Sequence, residues 1–246
     1  MNQDENQIIK STTEGMIKGI LNSEVVMNLL NPTFSQIGEL GGAISNSIKQ
    51  KILNVLSIKF NKKEEKFIKP NFQIFANTID CLKHTFYQEQ LRDVVLDILT
   101  KACHEDYHHD IHPSYLQIVK ELTAPEIDLI KALYDKTIGI TALEIFWNEK
   151  ETGKKMISSN YCDVEMLVPL TSANEYISLY LDNLTRLSIL ERRADLSTSD
   201  KKILNNLLDK FKAEYPHAEE ITQKELVYYF TGYGNSFCRT IFDDIE

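Results

Sequence analysis

The sequence contains few of the residues that form disulfide frameworks or flexible linkers. It has four cysteines, nine glycines and six prolines in 246 residues. The cysteines are far apart and include no C-x-x-C spacing, so we expect free, partly buried thiols of a reducing compartment. The scarcity of glycine and proline argues against long disordered linkers.

Basic residues are the minority among the charged side chains. The chain has 27 lysines and arginines against 36 aspartates and glutamates, which gives a net charge of −9. Residues 1–112 carry a net charge of −2 and residues 113–246 a net charge of −7. A nucleic-acid phosphate backbone is bound mainly by lysine and arginine. The charge balance therefore predicts that nucleic acid is not a partner.

Long apolar runs and common catalytic motifs are also missing. No run approaches the 18 apolar residues that predict a membrane-spanning helix. The first residues have neither a basic start nor an apolar core, so we predict a cytoplasmic protein without a secretory signal. The sequence has no G-x-S-x-G, no P-loop and no paired-glycine dinucleotide loop. We therefore expect no cofactor and favour a non-enzymatic protein.

The clearest helical periodicity lies in residues 89–126. Apolar residues recur there at spacings of three and four, which is typical of an amphipathic helix. The stripe consists of Leu91, Val94, Val95, Ile98, Leu99 and Ala102. The opposite face holds Arg92, Asp93, Asp97 and Lys101. Pro113 suits the first turn of a second helix, and Thr123 with Glu126 forms a T-x-x-E capping box for a third.

These patterns predict a mainly α protein in three parts. Residues 1–69 form an N-terminal helical segment, and residues 70–135 form a central helical core. Residues 136–246 form a winged-helix-like α+β part with a few short strands. Its hairpin is predicted at Ile138–Asn148 and Lys155–Tyr161, because the first run is rich in β-branched and aromatic residues and a Gly turn separates it from the second, shorter strand.

Three glycines, Gly38, Gly41 and Gly42, stand inside the predicted N-terminal amphipathic helix. Glycine in a helix costs about 1 kcal/mol relative to alanine, so we expect an interaction that requires it. One explanation is close packing against another backbone. The other is a helix that lies on a membrane, because no charge occurs between Glu39 and Lys49.

A histidine-rich loop, CHEDYHHDIHPSY, holds the candidate metal ligands. His104 and His108 are four residues apart, and His108 and His112 could converge across a turn. A zinc ion needs three or four such ligands. The loop lacks H-E-x-x-H and a distant second ligand pair. The alternative is a solvated loop in which Asp110 or His112 caps the next helix.

The helix expected from Ala173 is the candidate interaction surface. It is predicted to expose Glu175, Ser178, Asp182 and Thr185. The basic residues near its end are Arg186, Arg192 and Arg193. A DNA-reading helix should present arginine, lysine or asparagine outward on a basic surface. This helix does not, so contact with a protein partner is favoured over DNA reading.

Four groups of residues, in this order, resemble the motifs of one family. They are Pro32 with Ile37-Gly38-Glu39-Leu40-Gly41; Pro70 with Ile79 and Leu91-Arg92; His112-Pro113-Ser114-Tyr115 with Leu122-Thr123-Ala124-Pro125-Glu126; and Leu181 to Leu187 with Thr231 to Phe237. The order is similar to that of the Abi-alpha family, a bacterial group named for abortive infection, the anti-phage response. Ser188 stands where that family usually has glycine, and Phe230 where it has leucine.

The resemblance implies a role in phage defence and supplies no catalytic residues. The leading hypothesis is a non-enzymatic anti-phage protein that acts by binding a protein partner, by self-association or by a change of membrane state. Peripheral membrane contact is included because of the glycine-bearing helix. A winged-helix transcriptional regulator is the second hypothesis, and a metal-dependent hydrolase at the histidine loop is the third.

Overall fold

The protein is seen in a computed structural model. It describes residues 27–28, 30–39, 44–60, 66–136, 139–149, 153–162, 176–194, 201–216 and 221–245. The chain divides into two compact units, the first comprising Met1–Leu122 with Asp243–Glu246 and the second Thr123–Phe242. Helices make up most of the described structure, which confirms the mainly α class. The three-part division stays a prediction.

The first unit is helical. Its helices are α1 (30–39), α2 (Asn46–Lys59), α3 (Phe72–Thr85), α4 (Glu89–Ala102) and α5 (Tyr115–Lys120), with a 3₁₀ turn at His108–Asp110. Side chains cap two of the starts, because Ser45 Oγ accepts a hydrogen bond from the Ile48 N–H and Asn71 Oδ1 accepts one from the Gln73 N–H. Helices α3, α4 and α5 pack on one another.

Helix α4 confirms the predicted apolar stripe, since all six residues of the stripe are buried. Lys101, on the face opposite the stripe, is nevertheless buried, at 5% exposed. Its Nζ donates a 2.6 Å hydrogen bond to the carbonyl oxygen of Asp243. Helical periodicity is a local property. It cannot reveal a partner 142 positions later in the sequence.

The second unit combines helices with a four-stranded sheet. Its elements in chain order are α6 (Ala124–Lys136), β1 (Ile140–Glu149), β2 (Gly153–Cys162), α7 (Ile177–Arg186), β3 (Leu190–Arg193), α8 (Lys201–Glu214), β4 (Ile221–Phe230) and α9 (Gly232–Phe242). The strands lie in the order β2-β1-β4-β3, and all neighbours are antiparallel. The hairpin is confirmed.

The sheet differs from the prediction in two respects. Three of its strands have ten residues each, so they are not short, and the winged-helix outline is not confirmed. Strand β3 was missed, because its four residues, LERR, include three charges and do not alternate. It is recognisable only through its pairing with Val227–Phe230 of β4.

The two faces of the sheet are chemically different. Helix α8 covers one face with an apolar cluster. That cluster consists of Leu143, Ile145, Leu204, Leu207 and Phe211. Side chains alternate along a strand, so Glu144 of β1 lies on the other face. Helix α7 packs against β2 and β3.

The pairing of β1 and β2 shifts near Glu144. This residue stands opposite two residues of β2, Ser159 and Asn160, so β2 contains a β-bulge there. A bulge changes the direction in which the strand's side chains point. Both Ser159 and Asn160 form hydrogen bonds with α7.

Helix α9 starts in a crowded turn. Thr231 Oγ1 accepts a 2.7 Å hydrogen bond from the Gly234 N–H, which confirms the predicted Thr231 cap. A Cβ added at Gly234 would overlap the carbonyl oxygen of Ile189. A Cβ at Gly232, two residues earlier, would meet nothing within 4 Å. Of these two glycines, Gly234 is therefore the one that close approach of the backbone requires.

We predict that Gly234→Ala lowers the free energy of unfolding by about 2–3 kcal/mol, because backbone atoms must move to admit the methyl group. The matched control is Gly232→Ala. It should leave stability unchanged or raise it by up to about 1 kcal/mol, since alanine favours the helix. Urea denaturation of the two variants measures the difference, and equal midpoints would contradict the close approach.

Candidate interaction surface on helix α7

Helix α7 is attached to strand β2 by polar side chains. Ser178 Oγ lies 2.8 Å from Ser159 Oγ, and the Asn160 amide donates hydrogen bonds to Ser178 Oγ and to Asp182 Oδ1. Ser178 and Asp182 were expected to point away from the protein. Asp182 is exposed as expected, although its Oδ1 accepts a hydrogen bond from Asn160. Ser178 is only partly exposed, because the bulged strand supplies its hydrogen-bond partners. Glu175 lies outside the described residues.

A buried tyrosine completes this polar cluster. The hydroxyl of Tyr228 donates a hydrogen bond to Asn160 Oδ1. Burial raises the pKa of Tyr228 to about 12, although the nearby Arg192 guanidinium acts in the opposite direction. Asn160 thus connects strand β4 to helix α7. Sequence analysis missed Asn160, although asparagine is uncommon within strands and was a usable signal.

A second polar group on the sheet centres on Glu144. Its Oε1 atom accepts a 3.0 Å hydrogen bond from Arg192 Nη1, and Lys224 Nζ lies 3.5 Å from Oε2. Glu144 is buried, so its charge requires such partners. Arg192 is therefore paired within the sheet.

The other two predicted basic residues are also engaged within the second unit. Arg193 pairs with Glu191 at 2.5 Å, and its guanidinium lies 5.8 Å from the ring centroid of Tyr229. Arg186 donates hydrogen bonds of 3.2 and 2.7 Å to Asn183 Oδ1. These contacts hold the three arginines in place along α7 and β3.

The predicted N-terminal glycine surface is described only in part. Gly38 is an exposed residue of α1, and among the described atoms nothing lies within 4 Å of a Cβ added there. Close packing against a described residue therefore does not explain this glycine. Gly41 and Gly42 lie outside the described residues.

Helix α7 is joined to the start of α6 by a buried carboxylate. Glu126 is 2% exposed, and its Oε2 accepts hydrogen bonds from the Thr123 N–H at 2.7 Å and from Thr123 Oγ1 at 2.8 Å. Its Oε1 accepts a 2.7 Å bond from Asn183 Nδ2. The predicted capping-box hydrogen bond from the Thr123 N–H to the Glu126 carboxylate is confirmed. The Thr123 hydroxyl, however, donates to Glu126, whereas we expected it to accept from a helix N–H. We call Thr123, Glu126, Asn183 and Arg186 the α6–α7 clamp.

The outward side of α7 carries large apolar groups. Tyr176, immediately before the helix, is 54% exposed, and Leu179 is 61% exposed. Arg186 is exposed on the same side, ten residues after Tyr176. We call Tyr176, Leu179 and Arg186 the α7 outer face. Tyrosine and arginine are among the residue types most enriched at energetic centres of protein interfaces.

Tyr180 lies beside the outer face. Its ring centroid is 6.5 Å from that of Tyr176. Burial, and then the charge of Glu126, raise the pKa of Tyr180.

In the first unit, His104 is enclosed by aromatic rings. It is buried, with ring centroids 5.8 Å from Phe60 and 4.9 Å from Tyr107. Its Nδ1 accepts a 3.2 Å hydrogen bond from the Asp106 N–H, so the neutral ring carries its proton on Nε2. This His104 environment is that of a core side chain.

His108 and His112 each have local partners. Nδ1 of His108 donates to the Glu105 carbonyl at 2.8 Å. Nδ1 of His112 accepts from the Ser114 N–H at 3.2 Å in the turn before α5. The N-cap residue of α5 is Ser114, so neither His112 nor Asp110 caps this helix as the alternative expected. Within the described ranges, no group of three or more His, Cys, Asp or Glu side chains could hold a metal ion. The metal hypothesis gains no support from this geometry.

The four cysteines are free, as predicted. Burial raises the pKa of Cys81 to about 11 and that of Cys103 beyond the usual range for a thiol. Cys103 therefore stays protonated at neutral pH and does not form a nucleophilic pair with His104.

We predict that Ser188→Gly raises the free energy of unfolding by about 0.5–1 kcal/mol. Ser188 has a φ of 59°, a left-handed conformation that strains a side chain and suits glycine, although glycine loses more entropy on folding. Denaturant midpoints of the variant and the parent measure the change. A lower midpoint for Ser188→Gly would contradict it.

We predict that stability falls between pH 10 and pH 12 because of Tyr228. In the unfolded chain this phenol loses its proton near pH 10, whereas the folded protein retains it to about pH 12. Its contribution is fully present below pH 10 and is lost as the pH rises. Tyr228→Phe should flatten this part of the stability curve. Tyr87→Phe, at a 95% exposed position, should leave the slope unchanged, and equal slopes for all three proteins would contradict the prediction.

No helix in the described part of the chain is long and apolar enough to cross a membrane. A comparison with curated proteins finds no match. Among solved structures, the chain is similar to one titled as an uncharacterized protein of the hydrocarbon-degrading marine bacterium Alcanivorax borkumensis SK2. The identity is 17%, 51% of this chain and 90% of the other are covered, and the TM-score is 0.36. That similarity is too low to carry an argument.

The profile of one protein family, described as abortive infection alpha, matches residues 44–241. The matched range includes the clamp, α7 and the Thr231–Gly234 turn. It excludes Pro32 to Gly41, the first of the four groups of residues that resembled the family. Because the match spans more than half of the sequence, the chain belongs to the abortive infection alpha family.

Proposed function

We propose that this protein is a non-enzymatic component of an abortive-infection response that binds a protein partner through the α7 outer face. Family membership suggests the abortive-infection role. The mode of action is our proposal, and the exposed pair Tyr176 and Leu179 is the observation that carries it.

The remaining sides of α7 support this proposal, because they are occupied within the fold. Ile177, Leu181 and Leu184 are buried, and Ser178 and Asp182 bond to β2. A helix held on its other sides can present a rigid surface. Rigid aromatic and apolar side chains lose little entropy on binding, so such a surface suits a protein partner.

The second hypothesis, a winged-helix regulator, is less well supported. DNA reading requires arginines that can reach phosphates or bases. Arg192 is paired with Glu144 and Arg193 with Glu191. In the described residues of the second unit, the pairing of these two arginines therefore favours a protein partner over DNA.

The proposal predicts that Tyr176→Glu combined with Leu179→Glu abolishes protection of host cells, because buried charges at an interface oppose binding. The measurement is a phage challenge scored for plaque number and host survival. The matched control is Ile58→Glu, which places the same charge at a 74% exposed apolar residue of α2 in the first unit. This control should protect like the parent protein.

Two results would contradict the proposal. One is full protection by the α7 double variant, and the other is a parent protein that changes neither plaque number nor host survival. Thermal melting of both variants confirms that they fold. Sedimentation of the parent and the double variant distinguishes self-association from a different partner, because only self-association gives a smaller species in the variant.

A further inference from the structure

The geometry points to Glu126 as a positioning residue that fixes the α7 outer face in its binding orientation. This inference rests on the proposed function, because it assumes that the face binds a partner. Glu126 is buried and does not itself touch the partner. It acts through Asn183, which lies on the helix that presents the face.

The hydrogen bonds of the clamp have only one possible direction. The N–H and hydroxyl of Thr123 donate to Glu126 Oε2, and the amide of Asn183 donates to Oε1. A carboxylate can only accept, so Asn183 must present its nitrogen to Glu126. The Asn183 oxygen then faces Arg186, whose Nε and Nη2 donate to it. Each partner thus fixes the orientation of the next.

The clamp fixes the rotation of α7 about its axis, which apolar packing alone does not. Ile177, Leu181 and Leu184 hold the helix on the unit by burial, which is strong and non-directional. A small rotation of α7 would retain most of that burial. It would separate Asn183 from Glu126 and leave a buried carboxylate oxygen without its donor, which is costly. The Glu126–Asn183 bond therefore selects one rotation of α7.

That rotation determines where the outer face points. Asn183 lies one turn after Leu179 and one turn before Arg186, so the three residues share adjacent positions on the helix surface. A rotation of α7 about its axis would consequently move the two apolar residues of the face as well as its arginine.

The test exchanges donors and acceptors in the intact chain. In Glu126→Gln, the amide oxygen can still accept from Thr123, but the amide nitrogen then meets the Asn183 nitrogen, and two donors oppose each other. Asn183 cannot turn over without losing its bonds to Arg186. Adding Asn183→Asp restores the pair, because the introduced carboxylate accepts from both the new glutamine amide and Arg186. Glu89→Gln is the control, since the Glu89 side chain is 85% exposed.

Two readouts are needed: amide hydrogen exchange of residues 177–186 by mass spectrometry, and protection in the phage challenge. We expect Glu126→Gln to exchange on the order of tenfold faster in α7 and to lose protection. The combined variant with Asn183→Asp should recover both properties. Glu89→Gln should match the parent in both.

The inference is overturned if Glu126→Gln leaves α7 exchange and protection unchanged. It is also overturned if the combined variant folds and α7 still exchanges rapidly, or if the combined variant does not fold. Should Glu126→Gln alone fail to fold, recovery in the combined variant still supports the pairing. Failure of the proposed function gives a different pattern. Amide hydrogen exchange of α7 then rises in Glu126→Gln and recovers when Asn183→Asp is added, while Tyr176→Glu with Leu179→Glu still protects fully.

Discussion

A buried carboxylate, Glu126, is the constraint on which the second unit depends most. It accepts two hydrogen bonds from Thr123, immediately before α6, and one from Asn183 of α7, while almost none of its surface reaches solvent. A buried charge is tolerated only where donors surround it. The start of α6 and the middle of α7 must therefore keep one arrangement. Loss of the Asn183 bond would leave one buried carboxylate oxygen without its donor, and we infer from this that the clamp fixes the rotation of α7.

Apolar packing and directional polar contacts are also separated on the two faces of the sheet. The face under α8 is apolar, and burial of Leu143, Ile145 and Phe211 provides its stability. The other face carries directional contacts, in which Asn160 links Tyr228 to α7 and Arg192 pairs with Glu144. Apolar burial supplies most of the free energy in such folds, and polar contacts select one geometry. The surface that we propose for partner binding lies on the element that the polar contacts hold.

The sequence predicted those features whose causes are local. The stripe of α4, the β1–β2 hairpin and the Thr231 cap depend on neighbours within a few residues, and all three were found. Features caused by distant residues were missed. Lys101 is buried by the chain near Asp243, and Ser178 faces a strand that a bulge has redirected. The candidate site follows the same rule, because the Thr123–Glu126 motif was recognisable and its bond to Asn183 was not.

The most direct test of this account is native-state hydrogen exchange of the unaltered protein, followed as denaturant is increased. It reports the opening free energy of each helix separately. Because one buried carboxylate joins them, the account predicts that amides of residues 124–130 and 177–186 open together, with the same free energy and the same denaturant dependence. If the amides of α7 exchange at a much lower free energy while those of α6 stay protected, the clamp does not hold α7 and the central claim is wrong.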